Sequence, residues 1–388
     1  MSKKPAPAVA LRLVALALLG SGCAHGPTRA TLAFDALEIQ GDAALAKLND
    51  EELFTKASAA FAAGEYAKAA DLFGRVADLH PNSPHQATSV FNAGLSLEKL
   101  ERWSEAAERF GALADAEKGQ ADRLEATFHL ALAHYHLARY DEAGQLLQRL
   151  ASRQDIPPGR RIEASVQLGI CHIEAGRPDM GEALLREAIA KHATSDESEA
   201  VDLYFLAQAH FFLGELFRLR YEGVALDAEK VTSELAADLN LKSELLLSAQ
   251  GHYLRAIRVG HGYWATASGA QIGELYQNLY EQMTRAPAPR ELDAEAAQIY
   301  LQELRKKLRV LLHKAITIYE GTLEAAERVA SRGHFIEKTR ASLAKMKAML
   351  LADAQSDPDA DAAGDTPDSA APEEAGAAGV SSGFAPKS

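Results

Sequence analysis

Residues 130–143, LALAHYHLARYDEA, put His134 and His136 two apart inside a run of good helix formers. Side chains two apart on a helix diverge by roughly 200°, so this pair cannot close on one metal ion. The stretch says more when it is slid along the chain. LGICHIEAGRP starts at Leu168 and LAQAHFFLGEL at Leu206, each with a histidine at its fifth place, so His134, His172 and His210 stand 38 residues apart. A helical sequence that returns at a fixed interval is a repeat.

Upstream copies keep the period with other landmarks. GEYAKAADLFGRVADLHPNS from Gly64 carries Tyr66, Ala69, Phe73 and Pro81. ERWSEAAERFGAL from Glu101 answers with Trp103, Ala106 and Phe110, and ARYDEAGQLLQRL from Ala138 with Tyr140, Ala143 and Leu147. The aromatic-to-aromatic step is 37 residues twice. A period in this range, with small residues at fixed places, marks paired helices stacked into a solenoid.

The pattern resembles the tetratricopeptide repeat, in which small residues at the eighth and twentieth positions let paired helices approach closely. Here the eighth position reads Ala57, Gly94, Ala131, Gly169 and Ala207, and the twentieth reads Ala69, Ala106, Ala143 and Gly181. The resemblance implies a solenoid over residues 51–220. It weakens after Pro178, where the usual aromatic is missing, and an insertion at 221–241, opening YEGVALDAEKVTSELAADLN, is expected to displace the second helix of the fifth unit.

Composition agrees. The 388 residues are 47% hydrophobic, enough for a sizeable core, and no segment shows the alternating β-branched runs of a sheet. The fold class is therefore all-α. Residues 242–351 read as a further helical block. Within it Leu301, Leu304, Leu308, Leu311, Ala315 and Ile318 keep a three-four spacing, and no proline falls between Asp293 and Ala330. Such a helix needs a surface to lie against, either the solenoid or another protein. From residue 352 onward eight acidic residues face the single Lys387 in a Pro-, Gly- and Ala-rich stretch, which predicts a disordered acidic tail at 352–388.

Residues 1–22 read as an export signal: a basic MSKK start, the short apolar run Leu13–Leu19, and small residues leading to Cys23. Seven apolar residues cannot cross a bilayer. The segment resembles a bacterial lipobox, with Gly20 where leucine is usual, and this implies lipidation at Cys23, a linker over 23–50, and, with Ala24 following, an outer-membrane lipid anchor facing the periplasm. Ordinary secretion with Cys23 incidental is the other reading. Cys171 is then the lone remaining thiol, so stability has to come from packing.

The net charge of −13 argues against nucleic-acid partners and against bulk adhesion to anionic lipid. No H-E-x-x-H, G-x-x-x-x-G-K-[ST] or G-x-S-x-G motif is present, so neither a catalytic residue nor a metal or cofactor site is assigned. His134, His172 and His210 are expected to pack rather than ligate.

In a tetratricopeptide frame the fifth and twelfth positions line the concave surface. They read Phe54, Phe91, Phe128, Val166 and Tyr204, then Phe61, Glu98, Tyr135, Ile173 and Phe211. The nine apolar members form the candidate partner-binding groove. Burying such a stripe is worth about 25 cal/mol per Å², so something should cover it, and a partner segment and this chain's own C-terminal helix stand equally open. Glu51, Glu125 and Glu163 would repel a carboxylate.

The segment YWATASGAQIGELYQNLYEQMTRAPAPRELDAEAAQIYLQELRKKLRVLLHKAITIYEGTLEAAERV, following a lipobox and these repeats, resembles the C-terminal region of myxobacterial tetratricopeptide lipoproteins of adventurous gliding motility. The resemblance spans about residues 50–350. It implies a non-enzymatic scaffold that meets other proteins of an envelope-spanning complex through the groove and the C-terminal helices, and meets the membrane through its N-terminal lipid. A scaffold for outer-membrane protein assembly or peptidoglycan synthesis is the alternative.

Overall fold

The computed structural model describes residues 45, 47–114, 120–194, 202–226, 232–285, 288, 293–328 and 334–356. The signal, Cys23 and residues 357–388 of the expected acidic tail lie outside them, while residues 352–356, expected to be disordered with the rest of that tail, continue the last helix.

The first repeat starts at a capping box. Asn49 Oδ1 accepts the Glu52 amide at 2.8 Å and Glu52 Oε2 accepts the Asn49 amide at 3.0 Å, so two donors that a helix start leaves orphaned are satisfied. Helix α1 (Asp50–Ala62) follows and buries Leu53, Ala57 and Ala60 on one face against α2 (Tyr66–Leu79). The hairpin recurs as α3 (Gln86–Lys99) with α4 (Trp103–Ala114), α5 (Gln120–His136) with α6 (Tyr140–Ser152), and α7 (Pro158–Glu174) with α8 (Pro178–Thr194).

One turn is used four times. Gly64, Glu101, Ala138 and Gly176 all have φ between +57° and +77°. In each case the next amide reaches back five residues: Glu65 to the Ala60 carbonyl, Arg102 to Leu97, Arg139 to His134 and Arg177 to His172, at 2.8–2.9 Å. A left-handed residue with this bond closes the first helix and reverses the chain onto the second. Glycine adopts that φ freely, whereas Glu101 and Ala138 are held there by the hairpin around them.

The small residues occupy the seams. Ala57, Ala69, Ala106, Ala143 and Ala207 are fully buried. A Cβ on Gly94 would stand 2.7 Å from the Phe110 ring, and one on Gly181 would stand 2.6 Å from the Gly169 carbonyl oxygen. Helices α7 and α8 therefore touch backbone to backbone, a distance that no larger side chain permits.

The fifth unit differs from its sequence reading. Its second helix is not displaced by the insertion. Instead α9 (Leu203–Gly223) runs into it and α10 (Thr232–Val259) begins inside it, so the two pair as an overlong hairpin. The lock is Lys242, fully buried: its Nζ donates to the Tyr221 and Val224 carbonyls at 2.8 and 2.9 Å and lies 3.9 Å from the centre of the Tyr221 ring. A cation that satisfies the last carbonyls of a helix also complements its dipole. Sequence spacing gave no hint of that long-range contact.

Helices α11 (Gly262–Arg285), α12 (Ala294–Arg328) and α13 (His334–Ser356) complete the chain. At 1.5 Å per residue α12 is roughly 52 Å long. It lies on α11 through glycine seams, Gly269 under Thr322 and Gly273 under Tyr319, and α13 crosses both with Lys338–Glu274 and Lys347–Glu320 ion pairs. One hydrophobic interior extends from Ile162 to Met346, so the distal solenoid and the C-terminal block share a core. Among the described residues no helix is long and apolar enough to cross a membrane.

Candidate partner-binding groove

Stacking brings the first helices of the third, fourth and fifth units side by side, and where α5, α7 and α9 meet they enclose a cavity of about 280 Å³. Three of the nine predicted groove residues, Phe128, Tyr135 and Tyr204, line it, with Leu132 and Phe205 adding apolar surface. Phe128 and Tyr135 hold the fifth and twelfth places of the third unit and Tyr204 the fifth place of the fifth unit, and stacking of the units brings them to one cavity.

Polar groups stand across from this wall. The Arg160 guanidinium lies 4.1 Å from the centre of the Phe128 ring and forks to Glu125 at 2.7 Å and Glu163 at 2.5 Å. Glu163 is 8% exposed, and burial pushes its carboxyl up to about 7 despite the pull of Arg160. Tyr135 Oη donates to Glu174 at 3.4 Å, and burial also raises that carboxyl to about 7. His129 Nδ1 meets Glu98 at 2.7 Å. Cys171, at the cavity floor, has its thiol pushed up to about 12 by burial and is no thiolate near neutrality. Hydrogen bonding, ion pairing and aromatic contact are the chemistry on offer.

The other predicted residues are distributed unevenly. Phe54 is half-buried, stacked on His85 at 4.4 Å; Phe61 packs edge-on to Tyr66, and Phe91 edge-on to Phe110 and His129. Val166, Ile173 and Phe211 are core, 1%, 6% and 1% exposed, and offer no surface to a partner. For Phe211 the reason is plain: its ring packs against Trp264 at 5.0 Å and Phe335 at 6.4 Å. The C-terminal block thus closes the distal end of the groove, while the proximal aromatic residues stay half-buried. Cys23 lies outside the described residues.

Arg160, His129 and Gln167 are cavity residues that the repeat frame missed. Arg160 precedes Glu163 by one helical turn, a pairing visible in the sequence, but its second carboxylate, Glu125, sits 35 residues upstream. Of the histidines at the repeat period, His134 is half-buried, His172 Nδ1 accepts from Arg177 Nε at 2.9 Å and His210 lies 6.3 Å from His252, centre to centre; His136, off that period, stacks on Trp103 at 3.8 Å. Among the described residues no three metal-ligating side chains converge.

The tetratricopeptide-repeat family model matches residues 53–83 and 125–154, which are the first and third hairpins. Among solved structures, the apo form of RapI is 10% identical over 80% of this chain and 100% of its own, with a TM-score of 0.42. A TPR repeats protein from Bacteroides fragilis is 15% identical over 78% and 99%, with a TM-score of 0.29, and a tetratricopeptide repeat protein from Parabacteroides merdae is 14% identical over 77% and 98%, with a TM-score of 0.36. No curated protein matches the chain. The chain is an all-α solenoid carrying tetratricopeptide repeats, extended by a C-terminal helical block. Solenoids of this class serve as protein-interaction scaffolds, their stacked repeats presenting one extended surface.

Proposed function

We propose that the chain is a non-enzymatic, outer-membrane-anchored scaffold facing the periplasm, which holds other proteins of an envelope-spanning gliding motility complex. The observation that carries the scaffold reading is the aromatic cavity of Phe128, Tyr135 and Tyr204, built by three consecutive repeats on the face where a partner segment would lie. Anchoring rests on the lipobox-like run ending at Cys23, and the motility role on the resemblance of residues 263–329 to gliding lipoproteins.

The test uses a tagged chain recovered with its crosslinked partners from its own cells, beside the variant Phe91→Glu with Phe128→Glu and a deletion strain. Loss of partners from a variant that still folds, together with impaired single-cell movement on deletion, is the expected result. Normal movement with a thinned wall or depleted outer-membrane barrels would overturn the motility assignment. Substrate turnover by the purified chain would overturn the scaffold reading.

A further inference from the structure

The cavity carries more than apolar surface. Its carboxylates outnumber its cations: Glu125 and Glu163 share the single guanidinium of Arg160, and next to it Glu98 meets a histidine and Glu174 a tyrosine hydroxyl. Arg160 itself shows what the place accepts. A planar cation sits 4.1 Å over the centre of the Phe128 ring with a carboxylate at each end of its fork, a set of contacts that recognises arginine and, less directionally, lysine. Beside that platform the walls of Leu132, Tyr135, Tyr204 and Phe205 leave open space for an apolar side chain.

We propose that the occupant is a cationic amphipathic segment of a partner protein, whose apolar side chain enters between Leu132, Tyr135 and Tyr204 and whose Lys or Arg lies against Glu125 and Glu163. This rests on the scaffold reading and specifies its partner. An acidic peptide would bring a like charge to both carboxylates at once. A second copy of this chain is a poor occupant for the same reason, because its net charge is −13.

Burial supplies an independent signature. The groups facing Glu163 are Arg160 on its own helix, Glu125 on α5 and Asp202 ahead of α9; Arg160 favours the ionised carboxylate and the two acids oppose it. With the carboxyl near 7, an incoming cation draws a proton off Glu163 as it binds. Affinity for a cationic peptide therefore rises with pH, by up to about tenfold between pH 6 and pH 8 if the bound carboxyl ionises well below that window.

The experiment titrates the purified full-length chain with three fluorescent helical peptides of one apolar pattern, bearing Lys and Arg, Gln, or Glu at their polar positions. The expected result is binding of the cationic peptide at least about tenfold tighter than the acidic one. The Glu125→Gln with Glu163→Gln variant, shown by its melting curve to fold, should lose both that preference and the pH dependence. Equal or reversed preference, or a preference that survives the double variant, overturns the charge inference. Tight binding of the Gln peptide with no cationic advantage would leave the groove reading standing alone, and failure of all three peptides would remove both.

Discussion

Replacing Gly181 with alanine puts a methyl group where α7 and α8 touch. Its Cβ would stand 2.6 Å from the Gly169 carbonyl oxygen and 2.5 Å from Ile173 Cγ1. Ile173 can rotate, but the carbonyl is backbone and cannot move without parting the helices. Overpacking of this kind costs about 1–3 kcal/mol, against about 1 kcal/mol gained when alanine replaces glycine inside a helix. The net expectation is no gain and a loss of up to about 2 kcal/mol. Gly111 supplies the control: it sits in α4, a Cβ there meets nothing within 4 Å, and Gly111→Ala should stabilise by about 0.5–1 kcal/mol. Urea unfolding followed by far-ultraviolet circular dichroism measures both variants against the parent. If Gly181→Ala stabilises as Gly111→Ala does, the two helices do not meet at that seam and the repeat register is wrong.

Ala138→Gly should raise stability by about 1 kcal/mol in the same assay, since Ala138 is held at φ +57°, where glycine has no strain; no gain would mean that the turn is not left-handed. Lys242→Met keeps an apolar stem but leaves the Tyr221 and Val224 carbonyls without their donor, and a loss of about 2 kcal/mol is expected; equal stability would refute the capping role. The pH profile follows from two opposed pairs. Glu163 and Glu174, raised to about 7, contribute stability that is full below about 4.5 and lost as pH rises through 7; His210 and His252, lowered to about 4, contribute stability present above 6.5 and lost on acidification toward 4. The pairs oppose each other from 4.5 to 6.5, and above 6.5 only the glutamates act, so stability should fall by about 1 kcal/mol between pH 6.5 and 8, and Glu163→Gln with Glu174→Gln should abolish that fall. An identical decline in the double variant, measured by urea titration at both pH values, would show that other groups cause it.

The repeat was legible because its period is written in small residues, alanine or glycine, at the helix seams. A Cβ on Gly94 would stand 2.7 Å from the Phe110 ring and one on Gly169 3.2 Å from the Gly181 carbonyl oxygen, so both seams favour the smallest side chain. The turns were harder to read, since Glu101 and Ala138 take a conformation that their identities do not advertise and that the hairpin imposes. For the groove, three residues that the repeat frame named, Phe128, Tyr135 and Tyr204, line one cavity. The frame failed at Phe211, because position within a unit says nothing about Trp264 and Phe335, which arrive from later helices. The insertion was misread for the same reason, its outcome being decided by the contact of Lys242 with carbonyls about twenty residues earlier.

Closing one end of the groove has a consequence for the open part. Helix α9 presents Tyr204 and Phe205 to the cavity, while the Tyr204 ring edge also meets Trp264 at 5.4 Å and His261 at 5.1 Å. Further along the same helix Phe211 is fixed by Trp264 and Phe335, and Glu215 by the Tyr253 hydroxyl. The far wall of the cavity is thus held from behind by α10, α11 and α13, elements that contribute nothing to its lining. A wall fixed before a partner arrives spares the ordering cost that binding to a loose surface incurs. In the proposed recognition, the C-terminal block therefore acts through position. In the binding mode proposed above, the groove ends at Tyr204, and a segment lying along the half-buried Phe54, Phe61 and Phe91 would stop beside the carboxylates of Glu125 and Glu163.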